Sequence, residues 1–135
     1  DAITNASMLC LYAGAGTDTQ KKYTIEHCER ILDDCVYGMP SLDPKHESFE
    51  SERYWRGPVW LIMNYMLLIG LENEKEYLLA KRIKDDTIRL TDVGGMFEYF
   101  DPLTGKGLGG KNFSWTAAIF LKLYRENYDY QLFNN

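Results

Sequence analysis

One residue whose type could do chemistry is Glu98, which stands between Phe97 and Tyr99. A loop glutamate flanked by apolar and aromatic residues can point into a cavity and hold one water molecule. An ionised carboxylate in that position can take a proton from the water, as a general base does. A cationic neighbour such as Arg56 would help to keep the base ionised. The residue pattern by itself favours the simpler interpretation, an exposed loop glutamate.

A second group of chemically useful residues precedes it. Tyr54, Trp55 and Trp60 surround Arg56 in the segment YWRGPVW at residues 54–60. Carbohydrate sites use aromatic side chains, but protein cores and interfaces use them too. Trp55, next to Arg56 and a glycine, is expected on a cavity wall. Trp60 falls in an apolar helical pattern, so a place in the core and a place on a pocket wall both stay open.

Two aspartates are best explained as turn residues. Asp43 and Asp101 each precede a proline, and Asp-Pro followed by Thr-Gly is ordinary turn chemistry. We expect both carboxylates to hold turns rather than to react.

Neither nucleic-acid binding nor nucleotide binding is expected from this sequence. The net charge is −5, and no basic run exceeds two residues. Because nucleic-acid surfaces need clustered lysine and arginine, we expect no nucleic-acid partner. The segment GKGLGGKN at residues 105–112 is similar to a phosphate loop. It has Asn112 where a magnesium-binding hydroxyl is required, and no buried strand precedes it, so nucleotide binding is not expected.

The cysteines indicate neither disulfides nor metal. Cys28 and Cys35 lie seven residues apart on a predicted helix, about 10 Å along its axis, which is too far for a disulfide. Neither they nor Cys10 has zinc-ligand spacing, and no calcium-loop spacing of acidic residues occurs. We therefore expect no metal and no cofactor. Free thiols favour a reducing compartment such as the cytoplasm, and nothing else in the sequence assigns a localisation.

Apolar periodicity predicts helices at residues 21–37, 59–71, 74–89 and 114–124, with no strand. Gly38 is expected to stop the first helix, and Pro58 to lie in the first turn of the second. The 59–71 helix is apolar on all sides except at Asn64. It is too short to cross a bilayer and must be buried in protein. Amphipathic and apolar helices thus alternate around a long polar loop at 39–56. The pattern predicts an all-α domain. The alternation is the one that a two-layer helical toroid requires, and a simple helical bundle would give a weaker version of it.

Three segments carry a resemblance to a known family. They are YWRGPVW at 54–60, FEYFDPLTG at 97–105 and GGKNFSWTAA at 109–118. In order and approximate spacing they resemble the C-terminal half of glycoside hydrolase family 63 and its relatives. Those relatives include processing α-glucosidases and bacterial mannosylglycerate and glucosylglycerate hydrolases. The resemblance covers about residues 1–125.

The resemblance implies an (α/α)6 barrel, with residues 1–135 forming the C-terminal portion of one catalytic domain. It implies an inverting, exo-acting hydrolase of α-glucosides or α-mannosides. Glu98 matches the general base, Tyr54, Trp55 and Trp60 match aromatic residues that line the sugar pocket, and Arg56 matches a residue at the pocket rim. The binding partner would be an oligosaccharide or glycoside.

The sequence also departs from the family. The general acid of the family is an aspartate in an earlier region, and a whole barrel has twelve helices. An incomplete ring would leave the apolar helix partly uncovered, which favours contact with the rest of the barrel or self-association. The isolated 135-residue chain is therefore expected to be a poor hydrolase. The alternatives are a non-catalytic carbohydrate-binding module, a helical scaffold or interaction domain, and a trehalase-like or amylo-glucosidase-like enzyme.

Overall fold

The computed structural model describes residues 2–133, and their side chains as far as residue 126. Over that range the chain is mainly helical. The elements are a 3-10 helix (Asn5–Met8), α1 (Leu9–Tyr12), α2 (Asp18–Asp33), α3 (Leu61–Asn73), α4 (Tyr77–Gly94), β1 (Phe97–Phe100), β2 (Gly107–Lys111) and α5 (Ser114–Phe133).

Helix α2 has a well-defined beginning and ends earlier than predicted. The Thr17 hydroxyl accepts from the backbone N–H of Gln20 at 3.3 Å, and the Gln20 side chain accepts from the Thr17 N–H at 2.9 Å. The helix was predicted to reach residue 37 and stop at Gly38, but it ends at Asp33. The N–H groups of Val36 and Tyr37 instead donate to the carbonyl of Pro102, so a tertiary contact overrides the helical periodicity.

Helix α3 is the apolar helix, and it begins at Leu61. Pro58 was predicted in its first turn, but Val59 forms an antiparallel bridge with Phe100, which keeps residues 58–60 extended. One side of α3 is buried. The other side is only half-buried, as expected for an incomplete ring, and it comprises Ile62, Met63, Tyr65, Met66 and Ile69.

Helix α4 packs on α3 through Ala80, Ile83 and Leu90. Tyr77 and Leu78, in its first turn, are 63% and 87% exposed. The helix starts three residues later than predicted and continues past the predicted end at residue 89 to Gly94. Helix α5 likewise continues past the predicted end at residue 124 to Phe133.

The sequence shows no strand run of useful length, but two short strands, β1 and β2, form an antiparallel hairpin. Its turn is held by Asp101, whose carboxylate accepts from the Leu103 N–H at 2.9 Å and the Thr104 hydroxyl at 2.8 Å. The turn role predicted for Asp101 is therefore confirmed. The hairpin packs against α4 and α5, with Phe100 completely buried in the core.

Within the described residues, no helix combines the length and apolar character that crossing a bilayer would require.

Candidate active site

The long loop at residues 39–60 is tied to α2 by a partly buried ion pair. The Arg30 guanidinium donates to both carboxylate oxygens of Asp43, at 3.2 and 2.5 Å, and the Lys45 N–H donates to one of them at 3.0 Å. Burial alone would raise the pKa of Asp43, but the hydrogen bonds from Arg30 and Lys45 outweigh it, so the pKa lies below its usual value. Asp43 therefore stays ionised and fixes the start of the loop.

The end of the loop folds back on its own backbone. The Gly57 N–H donates to the Ser41 hydroxyl at 2.9 Å, and the Glu50 N–H donates to the Arg56 carbonyl at 2.8 Å. A Cβ at Gly57 would collide with the Glu50 carbonyl oxygen, so the two segments of the loop meet there only because residue 57 is glycine. This closure sets the position of residues 54–56.

Those residues begin an aromatic stack. The rings of Trp55 and Trp60 are parallel within 3° with centroids 4.2 Å apart, and the Tyr99 ring stacks on Trp60 with centroids 5.0 Å apart. Tyr54 meets Trp60 and Tyr99 edge-on, at 5.1 and 5.4 Å. Trp60 is only 3% exposed, whereas Trp55 is 46% exposed. Trp60 is thus the buried member of the stack, and Trp55 presents ring surface to solvent.

Arg56 forms the polar border of this stack. Its guanidinium pairs with Glu50, which Arg53 also approaches at 3.6 Å. The Nε atom of Arg56 is buried without a hydrogen-bond partner among the described residues. The carboxylate of Glu50 thus keeps Arg56 folded against the loop.

Glu98 lies on β1, and three contacts fix that strand. Phe100 and Val59 exchange backbone hydrogen bonds of 2.7 and 2.9 Å, and the Thr116 hydroxyl of α5 donates to the Phe97 carbonyl at 2.6 Å. The half-buried Glu98 carboxylate accepts from the backbone N–H of Gly110 at 3.1 Å. Glu98 is therefore a strand residue rather than a loop residue, and its Oε2 has a fixed donor.

Tyr99 belongs to the site, although the sequence analysis did not assign it. Neighbouring residues on a regular strand face opposite ways, but Glu98 and Tyr99 both approach Gly109. A Cβ at Gly109 would lie 2.7 Å from Glu98 Oε2 and 2.6 Å from Tyr99 Cε1. Burial raises the pKa of Tyr99, and the Glu98 charge adds to this, so the hydroxyl remains a donor at neutral pH. The aromatic stack and the carboxylate thus form one continuous surface.

The thiols are not part of this surface. Burial raises the pKa of Cys28 and of Cys35 to about 12, so neither is a nucleophile at neutral pH. Among the described residues, no three histidine, cysteine or acidic side chains are grouped as metal ligands would be.

Comparison with known proteins agrees with this architecture. Residues 1–116 match the mannosylglycerate hydrolase MGH1-like glycoside hydrolase domain. The chain is 48% identical over 120 residues to mannosylglycerate hydrolase MGH1 of Selaginella moellendorffii, covering 89% of this chain and 25% of that protein. It is 42% identical over 118 residues to a mannosylglycerate hydrolase of Thermus thermophilus, covering 87% of this chain and 28% of that protein.

Solved structures extend the comparison to the fold. The family 63 mannosylglycerate hydrolase from Thermus thermophilus, in complex with glucose, matches 90% of this chain and 31% of its own, with a TM-score of 0.85 and 40% identity. The match to a structure of that enzyme in complex with Tris and D-glycerate covers 92% of this chain and 30% of the enzyme, with a TM-score of 0.87. The described helices are therefore part of an (α/α)6 barrel, with a small hairpin added.

The chain belongs to the MGH1-like family of glycoside hydrolases. It spans about a quarter of the length of the curated relatives and about 30% of the matched structures. The roles of Glu98, Tyr54, Trp55, Arg56 and Trp60 stay predictions.

Proposed function

We propose that the protein containing this chain is an inverting, exo-acting α-glycoside hydrolase and that Glu98 is its general base. Residues 1–135 would supply the C-terminal portion of a single catalytic barrel. Mannosylglycerate and glucosylglycerate hydrolases among the relatives favour an α-mannoside or α-glucoside substrate, with a glycerate conjugate as the first candidate. The observation that carries the proposal is the Glu98 carboxylate, half-buried, bound by the Gly110 N–H and continuous with the aromatic stack.

The proposed step needs a base that accepts one proton. Glu98 would take a proton from a water whose oxygen bonds to the anomeric carbon. The glycosidic C–O bond breaks, and its oxygen takes a proton from an acid on the opposite side of the sugar ring. Inverting enzymes hold the two carboxyl groups roughly 6.5–9.5 Å apart, which leaves room for the water. The resemblance assigns the acid to an aspartate outside residues 1–135.

The residues of the aromatic stack would have different roles in sugar binding. Trp55 offers an exposed ring face on which the apolar face of a sugar can lie. Trp60 would act through Trp55 and Tyr99, which stack on it, since it is itself only 3% exposed. Tyr54 would hold the stack from its edge, and Arg56 would order the pocket rim. We propose that the rest of the barrel covers the half-buried side of α3.

The test compares wild-type full-length enzyme with Glu98→Gln. Proton NMR would follow α-mannosylglycerate, α-glucosylglycerate and simple α-glucosides. We expect the wild type to release the β-anomer first, and kcat to fall by about 10²–10⁴-fold in Glu98→Gln. The isolated 135-residue chain should show no turnover, because it lacks the acid.

The opposite outcomes contradict separate parts of the proposal. Release of the α-anomer would exclude inversion, and an active Glu98→Gln variant would remove Glu98 from the base role. Turnover by the isolated chain would show that no further carboxylate is needed. If the folded full-length protein binds glucose, seen as a change in tryptophan fluorescence, but hydrolyses none of the substrates, the non-catalytic sugar-binding interpretation replaces the enzyme.

A further inference from the structure

The hairpin contains an irregularity directly opposite Glu98. Phe97 pairs with Lys111, whereas Tyr99 pairs with Leu108, so the single residue between them on β1 faces two residues on β2. Glu98 therefore lies opposite Gly109 and Gly110, which form a β-bulge. Bulges of this kind bend a strand and can re-aim a nearby side chain.

The bulge has the backbone conformation that only glycine adopts easily. Gly109 has a φ of +74°, in the left-handed region, while Gly110 has no positive φ. The two-against-one pairing takes the Gly110 N–H out of the regular ladder, and this N–H donates to Glu98 Oε2 at 3.1 Å. The donor is backbone, so its direction is fixed by the fold rather than by a rotamer.

The bulge also shapes the space around the carboxylate. A Cβ at Gly109 would lie 2.6 Å from Tyr99 Cε1, 2.7 Å from Glu98 Oε2 and 3.0 Å from Glu98 Cβ, so a side chain there would displace Glu98 or Tyr99. A Cβ at Gly110 would find Glu98 Oε2 at 3.7 Å, which is ordinary contact. Two adjacent glycines thus differ sharply in the effect that one added methyl group would have.

We propose that the Gly109–Gly110 bulge is a positioning device that fixes the rotamer and direction of the Glu98 carboxylate. Gly110 supplies a backbone donor, and Gly109 leaves the space into which the carboxylate folds. The inference deepens the proposed function and rests on Glu98 being the base. In this proposal both glycines are positioning residues that act through Glu98.

The experiment measures kcat, KM and thermal stability of the full-length enzyme with α-mannosylglycerate or α-glucosylglycerate, whichever it turns over. Gly109→Ala is compared with Gly110→Ala, its matched neighbour. Gly14→Ala controls for backbone strain, because Gly14 has a φ of +64° and no atom within 4 Å of an added Cβ. The Gly14→Ala variant should lose the stability that backbone strain alone would cost in Gly109→Ala. Its kcat should be unchanged.

A misplaced base lowers kcat without weakening substrate binding. We expect Gly109→Ala to lower kcat by about 100-fold while KM changes by less than about threefold. Gly110→Ala should lose at most about threefold in kcat, since its N–H remains and its methyl group has room. In the Glu98→Gln background, Gly109→Ala should cause no further loss of kcat, because the carboxylate through which the bulge acts is already gone.

A second measurement avoids the glycine substitutions and their folding risk. Amide hydrogen exchange of Gly110 in full-length Glu98→Ala should be at least about tenfold faster than in wild type, because the acceptor is gone. The Phe100 N–H, which donates to Val59, should keep its protection.

The outcomes separate this inference from the proposed function. If Glu98→Gln is inactive while Gly109→Ala matches Gly110→Ala, the bulge does not position the base and the base role stands. Unchanged Gly110 exchange in Glu98→Ala, or an equal loss from Gly109→Ala in the Glu98→Gln background, would also overturn the bulge's role. If Glu98→Gln is fully active, the proposed function fails first.

Discussion

The hairpin and the long loop hold the two halves of the candidate site in different ways. The hairpin, residues 97–111, fixes Glu98 with a backbone N–H and with glycines that leave space. The loop, residues 39–60, fixes its aromatic rings with an ion pair to α2, a self-closing backbone and ring stacking. The hairpin thus depends on space that its glycines leave empty, whereas the loop depends on contacts that its side chains make.

The difference predicts opposite sensitivities. The hairpin should be damaged by added atoms, since a methyl group at Gly109 collides with the carboxylate. The loop should be damaged mainly by removed atoms, since its rings and charges are its supports. Gly57 is the exception in the loop, because its backbone contact with Glu50 also requires a missing side chain.

The largest expected effect of a removal in the loop is at Trp60. Trp60→Ala should lower the free energy of unfolding by about 3–5 kcal/mol, because it leaves a large buried cavity between Trp55 and Tyr99. Trp55→Ala should cost about 1 kcal/mol, since that ring is half exposed, but should raise KM about tenfold if it is the sugar platform. Urea unfolding and substrate kinetics of the full-length variants measure both.

Equal stability losses in the two tryptophan variants would contradict the stack order. An unchanged KM in Trp55→Ala would show that the sugar does not lie on that ring.

Much of the helical framework could be predicted from the sequence. Apolar periodicity located four helices. The all-round apolar pattern of residues 59–71 identified the helix that must be buried by protein on every side. Helix ends were less predictable where long-range contacts decide them. The Pro102 carbonyl captures the N–H groups of Val36 and Tyr37, and Phe100 keeps Val59 extended, and neither partner is near in sequence.

The hairpin was missed for a different reason. The β2 sequence, GLGGK, has three glycines and no β-branched residue, so no propensity indicates a strand. Its pairing comes from β1, which is aromatic-rich, and from the turn held by Asp101. Tyr99 could not be assigned from the sequence, because the bulge that brings it to the same side as Glu98 has no sequence signal of its own. Family resemblance alone pointed to Glu98, since an isolated glutamate in a sequence carries no signal of its donor.

A smaller effect in the loop tests its ion pair. Asp43→Asn should lower the free energy of unfolding by about 1.5–3 kcal/mol at pH 7, because Arg30 loses a bidentate, mostly buried partner. The pKa of Asp43 is depressed in the folded state, so its stabilisation is present above an unfolded pKa of about 3.9 and is lost as the pH falls through the lower folded value. The gap between wild type and variant should therefore close below about pH 4.

Thermal unfolding from pH 7 to pH 2 measures this difference. Asp33→Asn is the matched control, because Asp33 also pairs with an arginine, Arg82 at 2.7 Å, but its side chain is 69% exposed. Its effect should be about 0.5 kcal/mol or less. A gap for Asp43→Asn that stays constant into acid would show that the carboxylate charge is not what holds the loop.

The smallest effect is expected where charged side chains join the two regions. Lys106 in the hairpin turn lies 2.9 Å from both carboxylate oxygens of Glu52 in the loop, but the two side chains are 57% and 51% exposed. Water screens such a pair and two long side chains lose freedom in forming it, so Lys106→Ala should cost less than about 0.5 kcal/mol and still less in high salt. The backbone bridge between Val59 and Phe100 and the stacking of Tyr99 on Trp60 join the regions instead. A double-mutant cycle with Glu52→Ala, read by urea unfolding, isolates the ion pair. A coupling above about 1 kcal/mol would mean that this exposed pair also holds the hairpin to the loop.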